Sequence, residues 1–99
     1  MTDNPNFPIG TAAVNWVDSG GQVHIRVYSC DGYNVSERCW DGNGWTAGSL
    51  TQPGSAVSAT CWQVNNNLSI RVYCTFEDTT TEWCIDQGGS WYKGAYTTD

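Results

Sequence analysis

Hydrophobic and polar positions alternate with a period of two along two stretches that read almost alike, QVHIRVYS at residues 22–29 and NLSIRVYC at 67–74. In the first, Val23, Ile25 and Val27 point to one face and His24, Arg26 and Tyr28 to the other. In the second, Leu68, Ile70 and Val72 oppose Ser69, Arg71 and Tyr73. A period of two predicts strands, because successive side chains of an extended chain leave opposite faces. Further Val-, Thr- and Trp-bearing runs flank each stretch: AAVNWV and SATCWQV before it, NVSERCW (34–40) and TTTEWCI (79–85) after it, then the short GWT and SWY. Gly, Asn, Asp and Ser separate these runs, as turns between antiparallel strands require.

The pattern is duplicated. Residues 11–54 laid over 55–99 match almost end to end: Trp16 falls on Trp62, IRVY on IRVY, Glu37 on Glu82, Cys39 on Cys84, Asp41 on Asp86, Trp45 on Trp91 and Gly48 on Gly94. The offset is 45 through the middle and shifts by one at two loops, where the chain tolerates length changes. Four short antiparallel strands in about 45 residues match one β-propeller blade. The expected fold is therefore all-β, with two four-stranded blades per chain over 11–54 and 55–99. Residues 1–10, MTDNPNFPIG, read as a polar N-terminal arm. Two blades leave open edges and an apolar face, and propellers have about 4–8 blades. Closure then calls for a dimer, trimer or tetramer joined head to tail. A two-hairpin sandwich or a monomeric partial barrel are the competing folds, and neither accounts for the likeness of the two units.

Composition narrows the partners. The chain has 99 residues and a formal net charge of −6, and Arg26 and Arg71 are two of its four Lys/Arg. Without clustered cations, nucleic acid and anionic membranes are poor partners. No apolar run approaches the roughly 18 residues of a spanning helix, so membrane insertion is not expected. The N-terminal residues have neither the basic nor the apolar region of a secretory signal. Five cysteines without a C-x-x-C, and a single histidine, do not form a zinc pattern. No metal or cofactor is expected, and the thiols read as free, packed as small hydrophobes.

The chemistry lies in what the repeats share: an Arg, a Glu eleven residues on, GNGW or GGSW, then a Gly. Arg26 and Glu37 fall on neighbouring strands, as do Arg71 and Glu82, where a structural cross-strand ion pair is one reading. Trp16 and Trp62, inside the first strands, read as packing. Trp45 and Trp91, flanked by Gly, Asn and Ser, read as exposed near a blade junction. An Arg fork, a carboxylate and an indole face suit a monosaccharide: paired donors for adjacent oxygens, an acceptor for hydroxyls and a flat cover for the C–H face. Catalysis is not expected. A glycosidase needs two carboxyl groups in different environments, whereas Asp41 and Asp86 stand in WDGNG and IDQGG contexts that read as turns. His24 has Ser69 as its counterpart.

The strings IRVY…ERCWDGNGW…G and IRVY…TEWC…W.KGAY resemble the small bacterial fucose-binding lectins related to the fungal Aleuria-type fucose lectin, over residues 11–97. The resemblance implies a six-bladed propeller built as a homotrimer, with sites between adjacent blades for L-fucose and fucosylated oligosaccharides. One site would use Arg26, Glu37 and the Ser49 backbone, with Ile85 and Trp91 from the second repeat. The other would use Arg71, Glu82 and the Ala95 backbone, with Trp40 and Trp45 from a neighbouring subunit. Ile85 stands where the first repeat has Trp40, and DQGGSW is one residue longer than DGNGW. On this reading the Trp40/Trp45 site is the tighter. The reading from another class is a scaffold propeller that binds protein partners, its Arg–Glu pairs structural.

Overall fold

Each run rich in Val, Ile, Thr and aromatics forms a strand, and each polar cluster between them a turn, in a computed structural model that describes residues 9–98. The first sheet comprises β1 (Gly10–Val17), β2 (Val23–Cys30), β3 (Asn34–Trp40) and β4 (Trp45–Pro53). The second comprises β5 (Ala56–Val64), β6 (Asn67–Phe76), β7 (Thr79–Asp86) and β8 (Tyr92–Lys93). Both are antiparallel meanders, ordered β1-β2-β3-β4 and β5-β6-β7-β8, and no helix occurs among the described residues. Most of the polar arm expected over residues 1–10 lies outside the described residues; Gly10 already belongs to β1.

Local chemistry sets the turns. Asn65 and Asn66 both adopt left-handed φ, 51° and 66°, which closes the two-residue hairpin between β5 and β6 with the twist the strands prefer. Between β1 and β2, Asp18 Oδ1 accepts from the backbone N–H of Gly20 at 2.9 Å and of Gln22 at 3.0 Å, an Asx arrangement that fixes the loop. β4 runs well past the GWT seen in the sequence. Its register against β3 jumps from Arg38↔Ala47 to Ser36↔Thr51, so Gly48, Ser49 and Leu50 bulge opposite Glu37.

The two sheets pack through unlike faces. In β2 the side carrying Arg26 is turned inward, with Tyr28 and Cys30 at 0% and 1% exposure. In β6 the inward side is the opposite one, where Ile70, Val72 and Cys74 are buried. The core is thus the Arg-bearing face of the first sheet laid on the aliphatic face of the second, with Val14, Val35 and Leu50 completing it. All five cysteines are free thiols. Four are buried and Cys61 is partly so, and burial pushes the Cys74 thiol up to about 11.

This arrangement leaves one face of each kind uncovered. The outer side of the first sheet shows Val17, Val23 and Trp45 to solvent, and that of the second shows Trp62 and Tyr92. Trp62, expected to pack internally, is 44% exposed, because the register aligns it with Ser69 and Thr60 with Arg71 on the uncovered side of its sheet.

Candidate functional site

Pairing brings Arg26 beside Cys39 and Tyr28 beside Glu37, so Arg26 and Glu37 leave the same face of the first sheet from adjacent strands. Glu37 is 6% exposed, the one buried charged side chain among the described residues. Tyr28 Oη donates to its Oε2 at 2.8 Å, and the Leu50 N–H, presented by the β4 bulge, reaches Oε1 at 3.4 Å. Desolvation beside this carboxylate drives the Tyr28 phenol far above its ordinary value of 10, so the phenol stays a donor. The Gly48 position admits no side chain: a Cβ there would run into the Glu37 carboxylate.

The Arg26 ion pair is formed with Asp41, not with Glu37. Nη1 lies 3.0 Å from Asp41 Oδ1 and Nη2 3.4 Å from Oδ2, while Nη1 also donates to the Ile25 carbonyl at 3.0 Å. A guanidinium carries five donors; the end-on fork is taken, and the side-on fork, Nε–H with the outer Nη2–H, has no partner among the described residues. Trp16 covers the guanidinium from one side, 4.8 Å from Cζ to its ring centroid. Burial raises the Asp41 carboxyl, but the hydrogen bonds from His24 and Arg26 outweigh it and hold the group below 3.8.

These groups open into a cleft of about 590 Å³ between the sheets. Arg26, Glu37 and Ser49 line it from the first sheet, Ile85 and Trp91 from the second. All five residues of the within-chain set named from the sequence thus share one cavity. Its size is that of a small-molecule site, about 300–1,000 Å³. Trp91 meets the edge of Tyr28 at 90°, 6.3 Å between centroids, which seats its indole against the Arg-bearing face of the first sheet.

The second set is split. Arg71, Glu82 and the Ala95 segment lie on the outer side of the second sheet, and Trp40 and Trp45 on the outer side of the first, so the chain does not bring them together. Each half is nevertheless assembled. Arg71 Nη1 meets Asp86 Oδ1 at 3.0 Å, with Trp62 5.0 Å from Cζ. Glu82 accepts from Tyr73 Oη at 2.7 Å and from the Tyr96 N–H at 3.1 Å. The bond from Tyr73 is the main reason its carboxyl lies below 4.5. Gly94 repeats the role of Gly48, leaving room for the Glu82 carboxylate. Trp40 and Trp45 pair across β3 and β4, 5.8 Å apart and tilted by 52°.

Four residues escaped the sequence reading of this site. Asp41, just after β3, and Asp86, at the end of β7, anchor the two arginines although their contexts read as turns. Trp62 on the outer face, and Trp16, which also packs against the core as expected, stack on the guanidinium groups. The available signal was the shared offset of 45, which carries Asp41 to Asp86 as it carries Arg26 to Arg71. Compared with known proteins, the chain matches no family model and no curated protein.

Proposed function

We propose that the chain is a non-enzymatic lectin for L-fucose and fucosylated glycans. The observation that carries the reading is the cleft in which Arg26 and Glu37, each held by other partners and not by each other, face Trp91 across the sheet junction. The Arg26 side-on fork donates to two adjacent sugar oxygens, Glu37 accepts from a hydroxyl, and the Trp91 indole and Ile85 cover the ring's apolar side and methyl. The Ser49 backbone amide, carried on the β4 bulge, supplies a further donor. This is the role that the resemblance to the Aleuria-type fucose lectins implies for these residues.

The unlike faces support the rest of the proposal. Within one chain an Arg-bearing face packs on an aliphatic face, and each outer side is the complement of the other. A second copy added by the same operation covers Arg71, Glu82 and Ala95 with Trp40 and Trp45. Three copies would close six such sheets as blades of a propeller, with sites alternating within and between subunits. A heterologous contact of this kind closes only by rotation. Several weak sites on one ring raise apparent affinity through effective concentration.

Calorimetric titration with L-fucose is the test. Two sites per chain, with a native mass spectrum at three chains, is the expected result; no heat with fucose at any concentration ends the reading. Glycan-array binding abolished by free L-fucose extends it to glycans, whereas a blank array with an intact trimer favours the scaffold reading.

A further inference from the structure

The sole histidine of the chain, His24, stands at the rim of the Arg26 cleft and has no part in the sugar contacts above. Its Nδ1 lies 2.6 Å from Asp41 Oδ1 and its Nε2 2.8 Å from Asp18 Oδ2. A neutral imidazole has one N–H and one lone pair. With a carboxylate oxygen at hydrogen-bond distance from each nitrogen, only the imidazolium donates to both. The ring stacks on Trp16, centroids 5.1 Å apart and planes within 12°, the same indole that covers Arg26. The oxygen that accepts from His24 Nδ1 also accepts from Arg26 Nη1. His24, Asp41 and Arg26 are therefore one connected chain.

The second repeat solves the same problem differently. Ser69 stands where His24 would be, and Tyr92 where the first repeat has Thr46. Tyr92 Oη donates to Asp86 Oδ2 at 2.6 Å, and Asp86 Oδ1 accepts from Arg71 at 3.0 Å. Each repeat thus steadies the Asp that orients its Arg, one with the Tyr92 phenol and the Ser69 hydroxyl and one with an imidazolium. The hydrogen bond to Asp86 raises the phenol above its ordinary value of 10, so that anchor keeps its proton through neutral pH.

We infer that His24 is a positioning residue for Arg26, acting through Asp41, and that it makes the Arg26 site lose sugar affinity as pH rises while the Arg71 site does not. The inference rests on the fucose reading of the cleft. The charged groups around the ring are Asp18 from the β1–β2 turn, Arg26 from β2, Asp41 after β3 and Glu37 deeper on β3. Asp86 at the end of β7 also borders the cleft, its carboxylate turned to Arg71 and Tyr92 on the outer side of the second sheet. The contact with Asp18, then that with Asp41, lifts the imidazole above 6.5 against the opposing effect of burial. Above that raised value one nitrogen turns a lone pair toward a carboxylate. Asp18 is pinned by two backbone N–H groups, whereas Asp41 is held by Arg26, so Asp41 is the one to swing and the guanidinium follows it.

The test uses L-fucose calorimetry from about pH 5.5 to about pH 9, the range across which a histidine titrates. Arg71→Ala leaves only the Arg26 site and Arg26→Ala only the Arg71 site. The single His24 ring signal is followed by NMR over the same range. The Arg26 site is expected to weaken about three- to tenfold as His24 loses its proton, a part of what a direct hydrogen bond to a charged group contributes. The Arg71 site is expected to stay level, and His24→Ser, the residue of the second repeat, to flatten the Arg26 profile. A level Arg26 profile through the measured His24 titration overturns the inference, as does an equal slope in both sites. Should Arg71→Ala fail to fold, Glu82→Gln silences the same site. If no variant and no wild-type sample binds fucose, the sugar reading is what fails. The positioning role is then decided by the Arg26 Nε–H resonance: movement with the His24 titration upholds it, and indifference to that titration overturns it.

Discussion

The two arginines sit in nearly the same local cage but in very different surroundings. Both side chains are 17% exposed, both donate to the carbonyl of the preceding residue at 3.0 Å, and both meet an Asp fifteen residues on. Around them the likeness ends. Tyr28 is fully buried and Glu37 nearly so under the second sheet, while Tyr73 and Glu82 look outward. The cage of each arginine is thus written within one sheet, by residues two strands can supply, whereas the wall that turns a cage into a cleft must come from another sheet. For Arg26 that sheet is in the same chain. For Arg71 the proposed trimer supplies it.

Removing the arginines breaks the comparison most severely. Arg26→Ala and Arg71→Ala should each abolish one site and halve the fucose stoichiometry seen by calorimetry. Loss of two charge-assisted hydrogen bonds, about 1.5–3 kcal/mol each, lowers affinity more than a hundredfold at the altered site. The wild-type sites should also differ, with the Arg71 site the tighter because Trp40 and Trp45 present two indoles where Ile85 and Trp91 present one. Equal affinities after the separate substitutions would sink that ordering.

Next in size is a test of what covers the outer faces. Val72 is fully buried between the sheets, and Val72→Ala should cost about 2–3 kcal/mol through lost transfer energy and a residual cavity. Its counterpart Val27 faces the uncovered side of the first sheet. If copies assemble there, Val27→Ala approaches the same loss in thermal melts at high protein concentration and falls well below it on dilution. Concentration-independent melting of Val27→Ala would count against the assembly.

Smaller again is the pair of glycines. Gly48→Ala forces Glu37 aside where the second sheet allows no movement, and should cost about 1–3 kcal/mol, the usual range for overpacking. Gly94→Ala meets Glu82 and, at 2.7 Å, the Sγ of the buried Cys84. In the separate chain Glu82 can swing out and the loss should be smaller, whereas in the proposed trimer it should approach that of Gly48→Ala. Chemical denaturation of the two variants reads the difference directly; a larger loss for Gly94→Ala would mean that the outer face is as confined as the inner one.

Much of this was legible because duplication separates what is structural in a strand from what is incidental. The strands around HIRVY and SIRVY, and the span of NVSERCW, coincide with β2, β6 and β3. β4 was seen only as far as GWT, since its bulge over Gly48–Leu50 breaks the alternation by which strands are recognised. Arg26, Glu37 and Trp91 stand out in the sequence because their types suit a sugar, and the fold brings the three to one cleft. Asp41 was missed because WDGNG has the composition of a turn, and a residue can close a turn and anchor an arginine at once. Alternation assigned Tyr28 and Val27 to opposite faces, but which face lies inside is settled by the sheet that covers it, and this differs between the repeats.

The smallest effect concerns pH and stability. His24 is raised above 6.5 in the folded chain, chiefly by Asp18 and then by Asp41. Its contribution is therefore complete below about pH 6.5 and lost as pH rises through the folded value. The carboxyls run the other way. Asp18 and Asp41 lie below 3.8, Glu82 below 4.5, and Asp86 falls to about 2, mainly through Tyr92. Their contributions are complete above those ordinary values and lost as pH falls toward the folded ones. Thermal stability should hence plateau between about pH 4.5 and 6.5 and decline on both sides. The decline between about pH 6.5 and 8 should vanish in His24→Ser, the acid one should remain, and both should shrink in salt because the carboxylates are nearly half exposed. A separate loss above the ordinary thiol value of 9, from the cysteines that burial raises, should persist. A decline between about pH 6.5 and 8 that survives His24→Ser would place its origin elsewhere and leave the two repeats alike in their response to pH.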